Sequence, residues 1–332
     1  ADFEMEDLIE DSPVVITVSN SGYIKRIALD TYRQQHRGGR GIVAATTNEE
    51  DFVEHLFIAT NHSYILFFTN TGRVHWLKVY HVPEASRTAK GKAIVNLLEL
   101  QDGESITAMR PIRVFNEDHF LVMATKKGVV KKTALVEYSR PRKGGIIAIS
   151  VDEGDVLVDV VMTNGSQNLL IATKKGQAVK FDEKDARDIG RSARGVRGIS
   201  LKGDDEVIGM VIAEDDKTLL TITDNGYGKR SLISDYRLIR RGGSGVINII
   251  CSDRNGDVVA VKSVTENDDL MLVSRNGILI RVPAKDISVI GRNTQGVRLM
   301  RLEDGDRVMG AAKIVNEEKA AENTEAAAED FV

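Results

Sequence analysis

Arginine and lysine side chains recur beside glycine at six places in the chain, and this pairing is the strongest chemical signal in the sequence. The first place reads Gln35-His36-Arg37-Gly38-Gly39-Arg40-Gly41. Guanidinium and ammonium groups bind phosphate oxygens. A glycine lets the backbone approach a phosphate, so that amide N–H groups add to the contacts. These residues therefore predict binding of a phosphate backbone.

Five further loops carry cations at comparable positions. The candidate phosphate contacts in them are Arg87, Lys90 and Lys92; Arg140, Arg142 and Lys143; Arg191, Arg194 and Arg197; Arg240 and Arg241; Arg292 and Arg298. One such loop is usually an ordinary turn, whereas six in register would form a charged belt. Nothing resembles a base-reading helix, so we expect binding to be largely independent of base sequence. The lysine pairs at 126–127, 131–132 and 174–175 are either solvated charges at hairpins or secondary phosphate contacts.

Catalytic and metal-binding constellations are not evident. Tyr32 has no activating group or acidic cluster near it in the sequence. The six histidines lack metal-ligand spacing, and the calcium-loop-like segment 253–257 is followed by Val258 and Val264 where Gly and Glu are needed. We therefore expect no catalytic residue, no metal and no cofactor. Cys251 is the only cysteine; we expect it to be buried, in a reducing cytoplasm.

A repeated pair of short strands must position the basic loops. Each copy has an apolar strand ending in a small or hydroxyl residue, a polar turn closed by glycine, and a second strand with a basic residue. The turn glycines are Gly22, Gly72, Gly128, Gly176, Gly226 and Gly277. A second glycine follows 19 residues later in five copies and 17 residues later in the third, at Gly41, Gly91, Gly145, Gly195, Gly245 and Gly296. An acidic turn and another Val/Ile strand complete each unit.

This arrangement predicts a propeller-like fold. About four short strands in ~50 residues are typical of one blade. A blade cannot bury both faces alone, so we predict six four-stranded blades stacked around an axis as one cooperative unit.

Charge is unevenly distributed along the 332 residues. The formal net charge is −4, yet residues 1–11 hold six acids and no base, and residues 317–332 hold six acids and one base. The remainder carries 44 basic against 37 acidic side chains. We therefore divide the chain into an acidic lead-in (1–11), a basic body (12–316) and an acidic tail (317–332) that we expect to be mobile. No apolar run reaches the ~18 residues of a membrane span, so no membrane partner is expected.

The first basic loop carries a family resemblance. Residues 35–41 resemble the seven-residue motif Gln-basic-Arg-Gly-Gly-basic-Gly that marks gyrase A subunits, with His36 where Arg or Lys is usual. The lead-in from Gly22 to Arg33 is also similar to that family, and the likeness extends through the six repeats from about Asp7 to Val315. The chain is identified as a member of the C-terminal DNA-wrapping domain family of the gyrase A subunit.

The resemblance implies an all-β fold, the six-bladed β-pinwheel, in which neighbouring blades exchange strands and a basic outer surface wraps duplex DNA. It adds residues 35–41 and Arg33 to the DNA contacts. It implies a non-catalytic role within an ATP-dependent type IIA topoisomerase: sequence-independent binding, bending and chiral wrapping that enable negative supercoiling. The implied partners are duplex DNA, the N-terminal catalytic core of the gyrase A polypeptide and the ATPase polypeptide, gyrase B, in the cytoplasm at the nucleoid. We expect the isolated domain to be monomeric.

Two other functions are compatible with a six-bladed disc. The corresponding domain of topoisomerase IV has similar blades but typically lacks an intact motif at residues 35–41, so the motif favours gyrase. The second alternative is a protein-binding propeller scaffold, and basic loops repeating in register argue against it. The sequence does not determine wrap length or ring closure.

Overall fold

The computed structural model describes residues 2–36 and 51–329, with side chains at 5–35 and 51–324. Strands dominate these ranges. The first three repeats contain β1 (Pro13–Ser19), β2 (Tyr23–Ala28) and β3 (Val53–Thr60); β4 (Tyr64–Thr69), β5 (Arg73–Lys78), β6 (Lys92–Ala93) and β7 (Ile106–Ile112); β8 (Phe120–Thr125), β9 (Val129–Ala134), β10 (Ile146–Ile147) and β11 (Leu157–Thr163). The last three contain β12 (Asn168–Thr173), β13 (Gln177–Asp182), β14 (Val196–Arg197) and β15 (Val207–Ile212); β16 (Thr218–Thr223), β17 (Tyr227–Leu232), β18 (Val246–Ile247) and β19 (Val258–Val264); β20 (Asp269–Ser274), β21 (Leu279–Pro283), β22 (Val297–Arg298) and β23 (Val308–Ile314).

Each blade is an antiparallel sheet, and five of the six are assembled from two consecutive repeats. In the third blade the hairpin β8–β9 forms the centre, and β11 of the same repeat pairs with β8. The two-residue strand β14 comes from the next repeat and pairs with β9. Five sheets have this four-strand order, and the sixth, β23-β20-β21, has three strands within the described residues. The strand exchange confirms the predicted all-β pinwheel of six blades.

The ring is closed at its centre. We call β3, β7, β11, β15, β19 and β23 the inner strands, because each contacts the inner strand of the next repeat and β23 contacts β3. The Val315 amide also donates to the Val53 carbonyl at 3.0 Å. The first and last repeats therefore meet at the axis.

The hydrophobic core lies between blades. One cluster joins Val122 and Val130 of the third blade to Leu169 and Ile171 of the fourth, all fully buried. A blade such as the third or fourth is covered by a neighbour on each face, so its hairpin strands are continuous apolar runs rather than alternating ones. Burying one such side chain completely contributes about 1.5–3 kcal/mol.

The hydroxyl residue and the glycine of each repeat build the hairpin turn. The Thr173 carbonyl accepts from the Gly176 amide at 3.2 Å, and Thr173 Oγ1 accepts from the Gln177 amide at 3.0 Å. Gly176 has φ of +92°, and a Cβ there would lie 2.1 Å from the Ile249 carbonyl oxygen. All six predicted turn glycines have φ between +85° and +92°, which confirms their positions.

Helices are short and lie between strands or at the ends of the described ranges. The α-helices are α1 (Asp2–Asp7), α2 (Leu29–His36) and α3 (Glu317–Glu329). The 3-10 helices are Val79–His81, Ile94–Asn96, Leu135–Tyr138, Glu183–Asp185, Ile233–Asp235 and Ala284–Asp286. In the part of the chain that the structure describes, no helix is long and apolar enough to cross a membrane.

The acidic tail differs from our expectation of a mobile segment, because α3 packs against α2. Arg33 Nε donates to Thr324 Oγ1, and Arg33 Nη2 donates to the Thr324 carbonyl, both at 2.9 Å. Ala321 packs with Leu29 and Tyr32 on the outside of the first blade. A few apolar and hydrogen-bonding side chains thus anchor a segment whose overall composition suggests mobility.

Candidate nucleic-acid interface

The basic loops lie at the outer edge of the disc. In each complete sheet the inner strand forms one edge and the exchanged strand forms the other. Each exchanged strand begins directly after the second repeat glycine, so the loop before it is also peripheral. We call these loops, residues 84–91, 138–145, 187–195, 237–245 and 288–296, the outer belt.

Arginines join successive loops of the outer belt. Four residues before the second glycine, Arg191 donates through Nη1 to the Ile147 carbonyl at 2.8 Å. The equivalent Arg241 donates to the Arg197 carbonyl at 3.0 Å. Arg292 likewise reaches the Ile247 carbonyl at 2.8 Å and Arg87 the Gln35 carbonyl at 3.3 Å. Four of the five loops are therefore bonded to the preceding repeat through an arginine, whereas the loop 138–145 has Pro141 at this position.

The predicted contact residues differ in accessibility. Ten are exposed: Arg87, Lys90, Lys92, Arg140, Arg142, Lys143, Arg194, Arg197, Arg240 and Arg298. Arg33, Arg191, Arg241 and Arg292 are half-buried. The first group is accessible to a ligand, although Lys143 pairs with Glu99 at 3.4 Å and Arg194 pairs with Asp152 at 2.8 Å. Much of each half-buried side chain is used within the protein.

The motif at 35–41 falls largely outside the described residues. Gln35 ends the described side chains of α2, and His36 is described only as its last helical residue. Arg37, Gly38, Gly39, Arg40 and Gly41 are not described, so their DNA contacts stay a prediction. Arg33 points to α3 in this structure, through its two hydrogen bonds to Thr324.

The second repeat glycine has a structural role that the sequence analysis did not anticipate. Gly245 has φ of +82°, and a Cβ there would lie 2.3 Å from the Ala178 carbonyl of the preceding blade. Because glycine has no Cβ, the backbone at Gly245 can lie against β13, and the exchanged strand that follows can pair with it. Close packing of backbone on backbone therefore explains this glycine without any phosphate.

Buried lysines hold the outer belt in alternate repeats. Three residues after the turn glycine, Lys229 Nζ donates to the carbonyls of Asn248, Gly291 and Arg292 at 2.6, 2.9 and 2.9 Å. Lys131 similarly reaches the Ala148 and Arg191 carbonyls. In the first repeat, Lys25 bonds the carbonyls of residues 86, 87 and 89. Each of these three lysines therefore fixes the position of the outer-belt loop that belongs to the following repeat.

The buried surroundings of Lys131 and Lys229 lower the pKa of both ammonium groups. Burial, followed by the nearby Arg191 charge, lowers the pKa of Lys131 to about 7. Burial, followed by Arg292, lowers the pKa of Lys229 to about 8. These side chains serve packing and loop position, and neither is available as a surface cation.

The next residue along the strand is also a buried cation. Lys132 Nζ lies 3.1 Å from Glu183 Oε1, and both side chains are almost inaccessible. Glu183 also accepts from the Thr163 hydroxyl at 2.9 Å and the Gln167 amide at 2.8 Å. The pair 131–132 is thus neither a solvated edge charge nor a DNA contact, so both interpretations from the sequence were wrong for it.

The other two lysine pairs lie close to acidic turns. Lys126 and Lys174 approach Glu206 at 3.4 and 3.8 Å, and Lys175 approaches Asp257 at 3.1 Å. These lysines are partly exposed, but acids from neighbouring turns offset their charge. We therefore place the main cationic surface on the outer belt.

Two exposed cations of the outer belt were missed by the sequence analysis. Arg187 and Arg237 stand eight residues before the second glycine of their repeats, where the first repeat has Arg33. Both are exposed. Aligning the repeats on that glycine would have found them.

The residues considered for catalysis lie in structural positions. Tyr32 is fully buried, and burial together with the nearby Glu317 raises the pKa of its phenol. Cys251 is half-buried, and burial raises the pKa of its thiol to about 11. Across the described ranges, no group of three or more His, Cys, Asp or Glu side chains is arranged to hold a metal ion.

Comparisons with known proteins agree with the six-repeat architecture. A family model described as DNA gyrase C-terminal domain, beta-propeller, matches residues 13–60, 63–113, 119–164, 167–214, 217–265 and 268–314. The DNA gyrase A protein of Salmonella typhimurium is 46% identical over 314 residues, which are 95% of this chain and 36% of that protein. The chain therefore spans little more than a third of this relative.

Two solved structures have similar folds. The C-terminal domain of DNA topoisomerase IV has a TM-score of 0.85 at 25% identity and covers 97% of this chain and 99% of its own. A DNA gyrase A C-terminal domain has a TM-score of 0.68 at 24% identity, with coverages of 92% and 100%. The family model and the higher identity to gyrase A favour gyrase over topoisomerase IV. The chain belongs to the family of DNA gyrase C-terminal β-propeller domains.

Proposed function

We propose that this chain binds, bends and wraps duplex DNA without reading its base sequence. The outer belt carries the proposal, because exposed cations recur in five successive loops at the edge of the disc, and half-buried arginines bond several of these loops to the preceding repeat. Smoothly bending 20–30 bp by 40–90° costs roughly 1–6 kcal/mol. Phosphate contacts at several loops around the disc can together offset this bending free energy. The contacts of a single loop would be too few to do so.

A topological assay tests wrapping directly. Nicked circular DNA is incubated with the full chain, sealed by ligase, freed of protein and resolved on a gel. We expect the linking number to shift in one direction, in proportion to bound protein, because a chiral wrap is trapped at ligation. A distribution centred on the protein-free control would contradict wrapping even if binding occurred.

We further propose that the chain acts as a non-catalytic part of gyrase. The Salmonella typhimurium relative is a DNA gyrase A protein, of which this chain covers 36%, and the gyrase C-terminal family model matches all six repeats of this chain. In that setting its partners are the catalytic core of gyrase A and the ATPase polypeptide, gyrase B, and the negative supercoiling depends on their strand passage. Its place of action is then the cytoplasm, at the nucleoid.

The motif at 35–41 is expected to hold the end of the wrap. The resemblance places it where the first and last blades meet. Replacing Arg37 and Arg40 by Ala should lower affinity modestly and lose the last part of the bend, because a strained DNA end separates where its contacts are missing. Affinity, bend angle by energy transfer between labelled DNA ends, and melting temperature should be measured together.

A matched variant separates end-holding from loss of charge. Arg87→Ala with Lys90→Ala removes two cations from the next loop and should lower affinity similarly while keeping the end-to-end distance. A normal bend angle in the Arg37/Arg40 variant would show that the motif does not hold the end. A collapsed melting temperature would show a structural role instead.

The acidic tail is expected to restrain DNA binding. Deleting residues 317–332 removes six acids that compete with phosphates and releases Arg33 from Thr324. Affinity for duplex DNA should therefore increase. Thr324→Val provides the control, since it removes one acceptor of Arg33 and keeps every acid. Unchanged or weaker binding after deletion would contradict the restraint.

A further inference from the structure

The acidic turn of the fifth repeat contains a charge reversal. Four residues before each inner strand, the six repeats have Glu49, Asp102, Glu153, Gly203, Arg254 and Asp304. An acid is thus present in four repeats and a glycine in one, whereas the fifth has an arginine. The fifth turn also differs in its backbone: the inner strand begins 13 residues after the second glycine, against 12 in the third, fourth and sixth repeats. The turn is closed by a hydrogen bond from the Gly256 amide to the Ser252 carbonyl at 2.8 Å.

Arg254 meets a second arginine at a tyrosine. Arg298 Nη2 donates to Tyr227 Oη at 3.0 Å, and Arg254 Nε donates to the same oxygen at 3.4 Å. Their guanidinium carbons lie 5.3 and 5.5 Å from the centre of the Tyr227 ring. Tyr227 is only 4% exposed, while both arginines are exposed. Two positive groups therefore converge on one covered phenol at the surface.

The three residues are fixed in place by their backbones. Tyr227 is the register partner of Arg298 in the pairing of β17 with the exchanged strand β22. Next to Arg254, the side chain of Asn255 is fully buried and donates to the carbonyls of Ile250 and Gln295 at 2.8 and 3.0 Å. The arrangement is thus formed before any ligand arrives.

The two guanidinium groups keep donors available. Within the described ranges neither forms an ion pair, and each has one side-chain hydrogen bond, to Tyr227, out of five N–H donors. Two of the nearby acids are engaged elsewhere, Asp257 with Lys175 and Asp224 with Arg307, and the adjacent Asp253 is exposed and forms no ion pair with Arg254 or Arg298 in the described residues. The two guanidinium groups repel each other, so their close approach is electrostatically unfavourable on its own. A bound anion would remove this repulsion and accept hydrogen bonds from both groups.

The position of the pair suits a ligand of the outer belt. Arg298 follows the loop 288–296 directly. The equivalent place between the third and fourth repeats is a cleft of about 400 Å³ lined by Lys127, Asp152, Arg194 and Arg197. There Asp152 pairs with Arg194 at 2.8 Å, whereas the fifth blade has Gln295 at the position of Arg194 and carries Arg254 in its turn. Within the described residues, neither Arg254 nor Arg298 has an ion-pair partner, so the two sites differ in how far their cations are already paired.

We infer that Arg254, Tyr227 and Arg298 form a phosphate-binding site for one backbone phosphate of duplex DNA. This inference rests on the proposed DNA binding, and it identifies three residues that would contact one phosphate of the bound DNA. The free N–H donors of both guanidinium groups bind phosphate oxygens from two sides. The Tyr227 hydroxyl keeps the groups oriented and donates its own hydrogen.

Charge reversal at Arg254 tests the site. The Arg254 side chain is exposed, so Arg254→Glu should leave the blade folded, and an unchanged melting temperature checks this. Removing a phosphate contact reduces the salt dependence of log K by about 0.9. We expect this reduction for Arg254→Glu in the full chain. Lys202→Glu, an equal reversal at an exposed site in the acidic turn of the fourth repeat, should leave the slope nearly unchanged.

Arginine footprinting supplies a readout that does not depend on affinity. Phenylglyoxal modification, mapped by mass spectrometry, should be suppressed at Arg254 and Arg298 by saturating duplex DNA and unchanged at the exposed Arg301. A parallel arm uses inorganic phosphate alone at low ionic strength. Weak protection that requires far higher concentrations than duplex DNA would support a backbone phosphate as the ligand.

The outcomes separate this site from the proposed function. If the parent chain binds duplex DNA but Arg254 and Arg298 stay reactive, or if both reversals change the slope equally, the site is overturned and DNA binding stands. If the parent chain does not bind duplex DNA, the proposed function fails. Tight protection by inorganic phosphate in that case would assign the site to a free anion and overturn the DNA contact.

Discussion

Raising the salt concentration from 50 to 200 mM should weaken binding of this chain to duplex DNA by roughly 10³–10⁵, given about 6–10 phosphate contacts. Each contact releases counterions condensed on the DNA, so log K falls linearly with the logarithm of salt concentration. The ten exposed cations of the predicted set are enough for that number. A fluorescence anisotropy titration at four or five salt concentrations measures the slope.

Duplexes of unrelated sequence provide the control for this measurement. Because the outer belt consists of loops, and none of its five described loops contains an α-helix that could enter a groove, both affinity and slope should be similar on all of these duplexes. A shallow slope would mean that few phosphates are neutralised, and a protein-binding scaffold would then be the better interpretation. A steep slope on one sequence only would indicate base readout instead.

Replacing Lys132 by Met should lower the free energy of unfolding by about 3–5 kcal/mol, because it leaves the carboxylate of Glu183 buried without its cation. The two remaining donors to that carboxylate, from Thr163 and Gln167, are neutral. Urea unfolding followed by circular dichroism measures the loss. Duplex affinity of the folded fraction should be unchanged, because Lys132 does not reach the outer surface.

Two further variants test the cause of that loss. Lys132→Met combined with Glu183→Gln removes both charges and should recover most of the stability, since a neutral amide is far less costly to bury. Lys184→Met removes an exposed lysine next to Glu183 and should change stability by no more than about 0.5 kcal/mol. A loss below about 1 kcal/mol for Lys132→Met would show that the buried pair is unimportant.

The number and position of the blades could be predicted because the two glycines keep nearly the same spacing in all six repeats, while most other residues differ between repeats. Gly176 shows why: its positive φ and its approach to the Ile249 carbonyl exclude any side chain. Strand exchange was predicted only through the family resemblance. An exchanged strand such as Val196–Arg197 is two residues long, too short for a periodic hydrophobic pattern.

The candidate site was predicted less completely, because charge alone does not reveal burial. Lys131 and Lys132 resemble surface lysines in the sequence, yet carbonyls and Glu183 surround them. Arg191 and Arg292 were assigned to DNA, and the structure uses them partly to bond the preceding repeat. Arg254 was missed because the sequence analysis grouped its turn with the acidic ones.

Strand exchange also determines how the disc carries mechanical load. Each loop of the outer belt starts from a hairpin in its own blade and ends in a strand bonded to the preceding blade. If the disc holds bent DNA as proposed, the elastic force of the DNA on a loop is shared between two neighbouring blades. Five such links connect the six blades within the described residues, and the contact between β23 and β3 joins the first and last repeats at the inner edge. A load on one loop would therefore be distributed over several blades.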